Sequence, residues 1–143
     1  MNLRLDHIQL AAQKDCERAA RKFYGDILGL RELDKPDSLR SRGGCWFQIG
    51  DHQLHIGLEA DFRAAKKAHP AFAVEDEDLE KLRETLVSRG VRITDDDALP
   101  GVKRFYAEDP WGNRLEFLAA SRSSGSRGLV VNRANLKRGT PTG

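Results

Sequence analysis

An internal repeat constrains this chain more than any other feature of its sequence. His7 recurs as His69 at an offset of 62 residues; Gly29 recurs as Gly90, and His55 is answered by Glu116, both at an offset of 61. The neighbouring letters agree, with Gln53-Leu54-His55-Ile56 set against Arg114-Leu115-Glu116-Phe117. A duplicated unit of this size restricts the fold to two like modules that cover each other's apolar faces.

Each copy reads as the same series of elements. Residues 3–11 alternate as a strand does. Over 15–28, Cys16, Ala19, Ala20, Phe23, Tyr24, Ile27 and Leu28 fall at helical spacing, and Gly29 stops the helix. Strands are expected near 30–34, 44–50 and 52–58. The second copy opens with a strand at 69–74. Asp76 then caps a helix carrying Leu79, Leu82, Leu86 and Val87 and ended by Gly90. Strands near 91–94, 102–107 and 113–119 follow, separated by the turns LPG and DPWGN. The order βαβββ thus occurs twice. The expected fold is α+β, two βαβββ modules forming a cupped mixed sheet with helices outside. One domain spans 1–120, with modules at about 3–58 and 69–119. The connection 59–68 is a linker or a lid.

A content of 39% hydrophobic and 32% charged residues suits a soluble globular domain with a modest core. No apolar run is long enough to span a bilayer, and the N-terminus does not resemble a secretory signal. Cys16 and Cys45 are the only cysteines, so a disulfide framework is not expected and a cytoplasmic setting is. Residues 121–143 hold Arg122, Arg127, Arg133, Lys137 and Arg138 and no acid, a charge of +5; with +2 overall, the rest carries −3. That mildly acidic body argues against nucleic-acid binding. The basic tail, rich in Ser and Gly, is expected to be flexible.

Period-two alternation sorts the strand residues by face. His7 and Gln9 oppose Ile8 and Leu10. Gln53 and His55 oppose Leu54 and Ile56. His69 opposes Phe72 and Val74, and Arg114 and Glu116 oppose Leu115 and Phe117. The apolar sets suit packing against the helices, which leaves the polar sets to line the cup. Pseudo-twofold symmetry would bring His7, His55, His69 and Glu116 toward one point. Three imidazoles and a carboxylate suit one divalent ion, and Zn, Ni, Co, Mn and Fe all accept that set. A carboxylate flanked by Leu115, Phe117 and Leu118 needs such a partner. His52 is read as solvated. Alternation makes Gln9, Trp46, Gln48, Arg104 and Tyr106 candidates for the pocket wall.

Four stretches carry a resemblance: DHIQLAA, FYGDILGL, HPAFAVEDEDLEKLRETLVSRGV and RFYAEDPWGNRLEFL. The last resembles the DPxGNxxE signature of the vicinal oxygen chelate superfamily, also called the glyoxalase/bleomycin resistance/dioxygenase superfamily. The resemblance covers about 3–119 and implies the paired βαβββ fold. It places metal ligands on His7, His55, His69 and Glu116, with His55 at the fourth-ligand position of glyoxalase I-like members. It implies a metal-dependent lyase or isomerase acting on a small substrate with adjacent oxygens through a stabilised enediolate, with Glu116, or a metal-bound water, as catalytic base. It also implies a homodimer. Arg40, Arg42 and Arg104 are the basic residues available for a glutathione carboxylate. The alternatives within the resemblance are an extradiol dioxygenase, an antibiotic-modifying thiol transferase, and a metal-free binding protein of the bleomycin-resistance type.

Overall fold

The computed structural model describes residues 1–120, so the basic tail at 121–143 lies outside the described residues. Two four-stranded sheets carry the fold. The first holds β1 (His7–Ala12), β2 (Glu32–Leu33), β3 (Cys45–Ile49) and β4 (His52–Leu58), in the spatial order β1-β4-β3-β2. The second holds β5 (Ala71–Val74), β6 (Ile93–Asp95), β7 (Arg104–Glu108) and β8 (Arg114–Ala119), in the matching order β5-β8-β7-β6. In each sheet the first and last strands pair in parallel and the rest are antiparallel, so the sequence repeat is a topological repeat.

Parallel pairing sets where β1 starts. His7 lies opposite Gln53 and β4 begins at His52, so residues 3–5 have no strand to join. The expected strand is therefore shorter at its start, and Leu3 and Leu5 are exposed.

The first helix also departs from expectation. It is α-helical only over Glu17–Ala20 (α1) and continues as a π-helix over Arg21–Ile27. The Leu28 N–H donates to the Phe23 carbonyl five residues back, the π-type spacing. A short helix, α2 (Asp37–Arg40), follows Pro36. The long helix α3 (Asp76–Ser88) has Glu75 at its cap rather than the expected Asp76, whose carboxylate pairs instead with Lys103. Asp76, Glu77 and Asp78 occupy its first turn, where acids favour the helix dipole. Gly29 and Gly90 follow the two helices with φ of +70° and +74°, the left-handed exit that glycine adopts at no steric cost.

The helices cover the apolar faces of both sheets. Tyr24, Phe47, Leu54, Ile56, Leu86, Phe105, Leu115 and Phe117 belong to one buried cluster that runs through both modules. Phe117 packs on Phe105 and Phe72 with ring centroids 5.4 and 5.6 Å apart, and Tyr24 on Phe47 at 5.7 Å. Cys16 and Cys45 are buried in this cluster as free thiols. No helix among the described residues is long and apolar enough to cross a membrane.

Buried polar groups also join the modules. Asp109, at the start of the DPWGN turn, takes hydrogen bonds on Oδ1 from the backbone N–H groups of Trp111 and Asn113, and on Oδ2 from Asn113 Nδ2. Asn113 Nδ2 also donates to the Ala11 carbonyl at the far end of β1. This turn was legible as a turn and a family signature; its role as a joint between modules was not.

Candidate active site

The four expected metal ligands gather as two pairs. His7 and His55 are stacked on the first sheet with ring centroids 4.4 Å apart. His69 and Glu116 meet on the second, with Nε2 3.0 Å from Oε2. Among the described residues of one chain, no three His, Cys, Asp or Glu side chains lie close enough to hold a metal ion together. Convergence of all four to one point within a single chain is therefore not what the fold produces. The two sheets share a core on their helical sides and present their polar faces separately.

On the first sheet, His55 sits between two rings. Trp46 stacks on it from β3 at 4.0 Å with an interplanar angle of 5°, and His7 stacks from β1. This cover leaves His55 6% exposed, against the simple alternation that set it on an open face. Burial, and then the neighbouring His7 imidazole, hold the His55 pKa below the ordinary imidazole value. Its neutral ring keeps a lone pair for a cation.

On the second sheet, Glu116 lies between His69 and Arg104, whose Nη1 is 3.2 Å from Oε1. Arg104 Nη2 also reaches Asp96 at 3.1 Å, so one guanidinium spans two carboxylates. The Ala98 backbone N–H first, and Arg104 as well, keep the Asp96 pKa low. Tyr106, directly across from Glu116 in the β7–β8 register, stands edge-on to His69 at 5.3 Å.

The ring nitrogens test whether these residues fit a metal. His7 Nδ1 lies 2.8 Å from Asp6 Oδ2, His55 Nε2 lies 2.9 Å from Gln53 Oε1, and His69 Nδ1 lies 2.7 Å from the Lys67 carbonyl oxygen. Each imidazole has one nitrogen against an acceptor oxygen. Metal-ligating histidines are commonly held this way, the bound N–H fixing the tautomer and leaving the other nitrogen free. At His69 the constraint is tighter, because both facing groups, the Lys67 carbonyl and the Glu116 carboxylate, are acceptors. A proton shared by the pair, or a cation, must lie between Nε2 and Oε2. The donor set fits a divalent ion.

The expected pocket residues divide. Trp46 covers His55, while Arg104 and Tyr106 flank the His69–Glu116 pair. Gln9 is exposed and lies along the backbone at Gly57. Gln48 is committed to the β3–β4 turn, its Nε2 donating to the carbonyls of Gly50 and His52. Sequence reasoning did not single out Lys67 or Arg114, which line a cavity of about 410 Å³ beside Tyr106. The signal for Arg114 was present: it shares its strand face with Glu116.

The fold agrees with comparison to known proteins. The chain belongs to the Glyoxalase/Bleomycin resistance protein/Dioxygenase superfamily, whose family model matches residues 4–117. Among solved structures, it is similar to a protein from Bacillus anthracis assigned to the glyoxalase family. The two are 45% identical with a TM-score of 0.78, over 83% of this chain and 96% of that one. It shares its fold with the fosfomycin resistance protein FosX from Listeria monocytogenes (20% identity, TM-score 0.69, 85% and 96% of the two chains). It also shares it with a lactoylglutathione lyase from Agrobacterium tumefaciens (20%, 0.64, 81% and 92%). No curated protein sequence matches the chain.

Proposed function

We propose that the protein is a metal-dependent, glyoxalase-like lyase or isomerase acting on a small substrate with adjacent oxygens. His7 and His55 of one chain and His69 and Glu116 of a second copy would hold one divalent ion: Zn, Ni, Co, Mn or Fe. The observation that carries this reading is the matched set of ring contacts, in which each of the three imidazoles has one nitrogen against an oxygen of Asp6, Gln53 or Lys67. Metal-ligating histidines are commonly oriented this way. The 45% identity to a glyoxalase family protein supports the same class.

The placement of the pairs supports assembly from two copies. One chain offers two incomplete sets on two sheets, and a twofold dimer sets each against its complement in the partner. A bound ion supplies Lewis acidity that polarises neighbouring substrate oxygens. The protein's own groups supply the rest. Arg104 holds Glu116 through Oε1, while Oε2 faces His69 Nε2 and would take a proton from a substrate carbon only when its coordination to the ion is released. Trp46 excludes water from one face of His55.

The test is elemental analysis of purified wild type and Glu116→Ala after mild dialysis, followed by mixing two inactive variants. Near-stoichiometric metal in wild type, lost in Glu116→Ala, is the expected result. Its identity also sorts the chemistry, since iron with oxygen consumption would favour ring cleavage. In a dimer built from His7→Ala and Glu116→Ala chains, one site carries both defects and the other carries neither, so mixing restores up to half the activity per mixed dimer. Absence of metal from both proteins after reloading would refute the enzyme reading and favour a small-molecule binder.

A further inference from the structure

The cavity beside Tyr106 holds two cations with no acidic partner among the described residues. Four cations line it: Lys67, Arg92, Arg104 and Arg114. Its acids are already engaged. Glu108 pairs with Arg92 at 2.9 Å, Asp96 with Arg104 at 3.1 Å, and Asp95 with Arg83 at 2.7 Å. Lys67 and Arg114 have no acidic partner among the described residues.

Arg114 is held in place without its hydrogen-bonding edge being used. Its guanidinium carbon lies over the Tyr106 ring, 5.1 Å from the centroid, and Arg104 approaches the same ring at 5.7 Å. A cation–π contact engages the flat face of the guanidinium and leaves its in-plane N–H groups free. Arg104 adds an independent sign of a missing partner. Its Nε is buried and has no hydrogen-bond partner in the protein, the one such side-chain atom among the described residues. A buried donor without an acceptor is costly unless a ligand completes it. Planar guanidinium edges and an ammonium converging on one cavity match an oxyanion better than any neutral group.

We infer that this cavity is an anion subsite: Arg114 and Lys67, with Arg104 behind them, bind a carboxylate, phosphonate or phosphate group of the substrate. The subsite lies on the same sheet face as His69 and Glu116, with Tyr106 between Arg114 and Arg104. An anionic head bound there would orient the rest of a small molecule toward the carboxylate of Glu116. The inference rests on the proposed function for calling the ligand a substrate, and makes that substrate an acid.

The test is calorimetric titration of the metal-stripped full chain with inorganic phosphate, methylphosphonate and glycolate at low ionic strength, which separates the phosphorus oxyanions from carboxylate. Saturable binding of at least one probe is expected, weakening as salt is added. Arg114→Gln should reduce that affinity about tenfold or more. Lys67→Gln, at an exposed position, should reduce it less and guards against a misfolded Arg114 variant. No saturable binding of any probe, or unchanged affinity in both variants, would overturn the inference. Reloading each protein with metal separates the two readings. Metal retained without anion binding defeats the anion subsite alone; anion binding without metal retention defeats the metal reading alone.

Discussion

The Tyr24 hydroxyl donates a 2.8 Å hydrogen bond to Asp109 Oδ2, joining the first module's π-helix to the turn before β8 across 85 residues of sequence. Both groups are buried, and with this bond each carboxylate oxygen of Asp109 accepts two hydrogen bonds. Burial pushes the Asp109 pKa up while Asn113 and Tyr24 pull it down. Burial, and then Asp109, push the Tyr24 phenol well above its ordinary range, so it remains a donor. Tyr24→Phe removes one donor to a buried carboxylate and should cost about 1.5–3 kcal/mol. Asp109→Asn should cost at least as much, because its NH₂ must face existing donors whichever way it turns. Urea unfolding should show a lower midpoint at unchanged slope. An unchanged Tyr24→Phe midpoint would mean the bond does not tie the modules.

Cys45 should be chemically silent in the folded protein. Burial pushes its thiol up to about 12, and burial raises Cys16 as well. The thiolate is the reactive form. Alkylation at pH 8 should therefore be slow for both in the native state and fast after denaturation, read by mass spectrometry. Rapid native labelling of Cys45 would show that the strand is open to solvent.

Two glycines predict opposite outcomes. Gly44 has φ of +79°, and a Cβ there would lie 2.1 Å from the Ile56 carbonyl oxygen across the β3–β4 pair. Gly44→Ala adds left-handed strain to a backbone clash and should cost about 3 kcal/mol or more. Gly25, inside the π-helix, leaves ordinary room for a Cβ, with Phe47 3.9 Å away. Gly25→Ala should stabilise by about 0.5–1 kcal/mol, mainly by restricting the unfolded chain. Thermal melts of both variants check the contrast.

Glu17 carries a pH dependence. The Gly44 backbone N–H donates to its carboxylate at 2.7 Å and lowers its pKa below the ordinary glutamate value of 4.5. A depressed acid stabilises the fold above its unfolded pKa and loses that contribution as pH falls through the folded value. Glu17→Gln should therefore be less stable than wild type at neutral pH, by no more than about 1 kcal/mol given partial solvent screening. The gap should close below pH 4.5. A gap that persisted or widened in acid would assign the effect to something other than charge.

Much of this fold was legible because the repeat marks both modules with the same signs. Gly29 and Gly90 end helices where expected, and the apolar alternation of Leu115 and Phe117 places their strand. The π-helix was not legible, because its spacing differs from an α-helix by one residue per turn over a short span. At the site, alternation assigns residues to a face but does not say which faces meet. His7, His55, His69 and Glu116 form two pairs, and His69 lies just before β5 rather than in the expected strand. Arg114 escaped notice for a related reason: an unpaired cation is recognised only once every neighbouring acid is seen to have a partner.

The stack of Trp46 on His55 gives the protein a built-in optical probe. The chain has two tryptophans, and Trp111→Phe would leave Trp46 as the only emitter. With its indole 4.0 Å from the imidazole and nearly parallel to it, a change in the charge of that ring alters the surroundings of the excited indole directly. Emission from an unlabelled sample would report, in real time, what His55 holds.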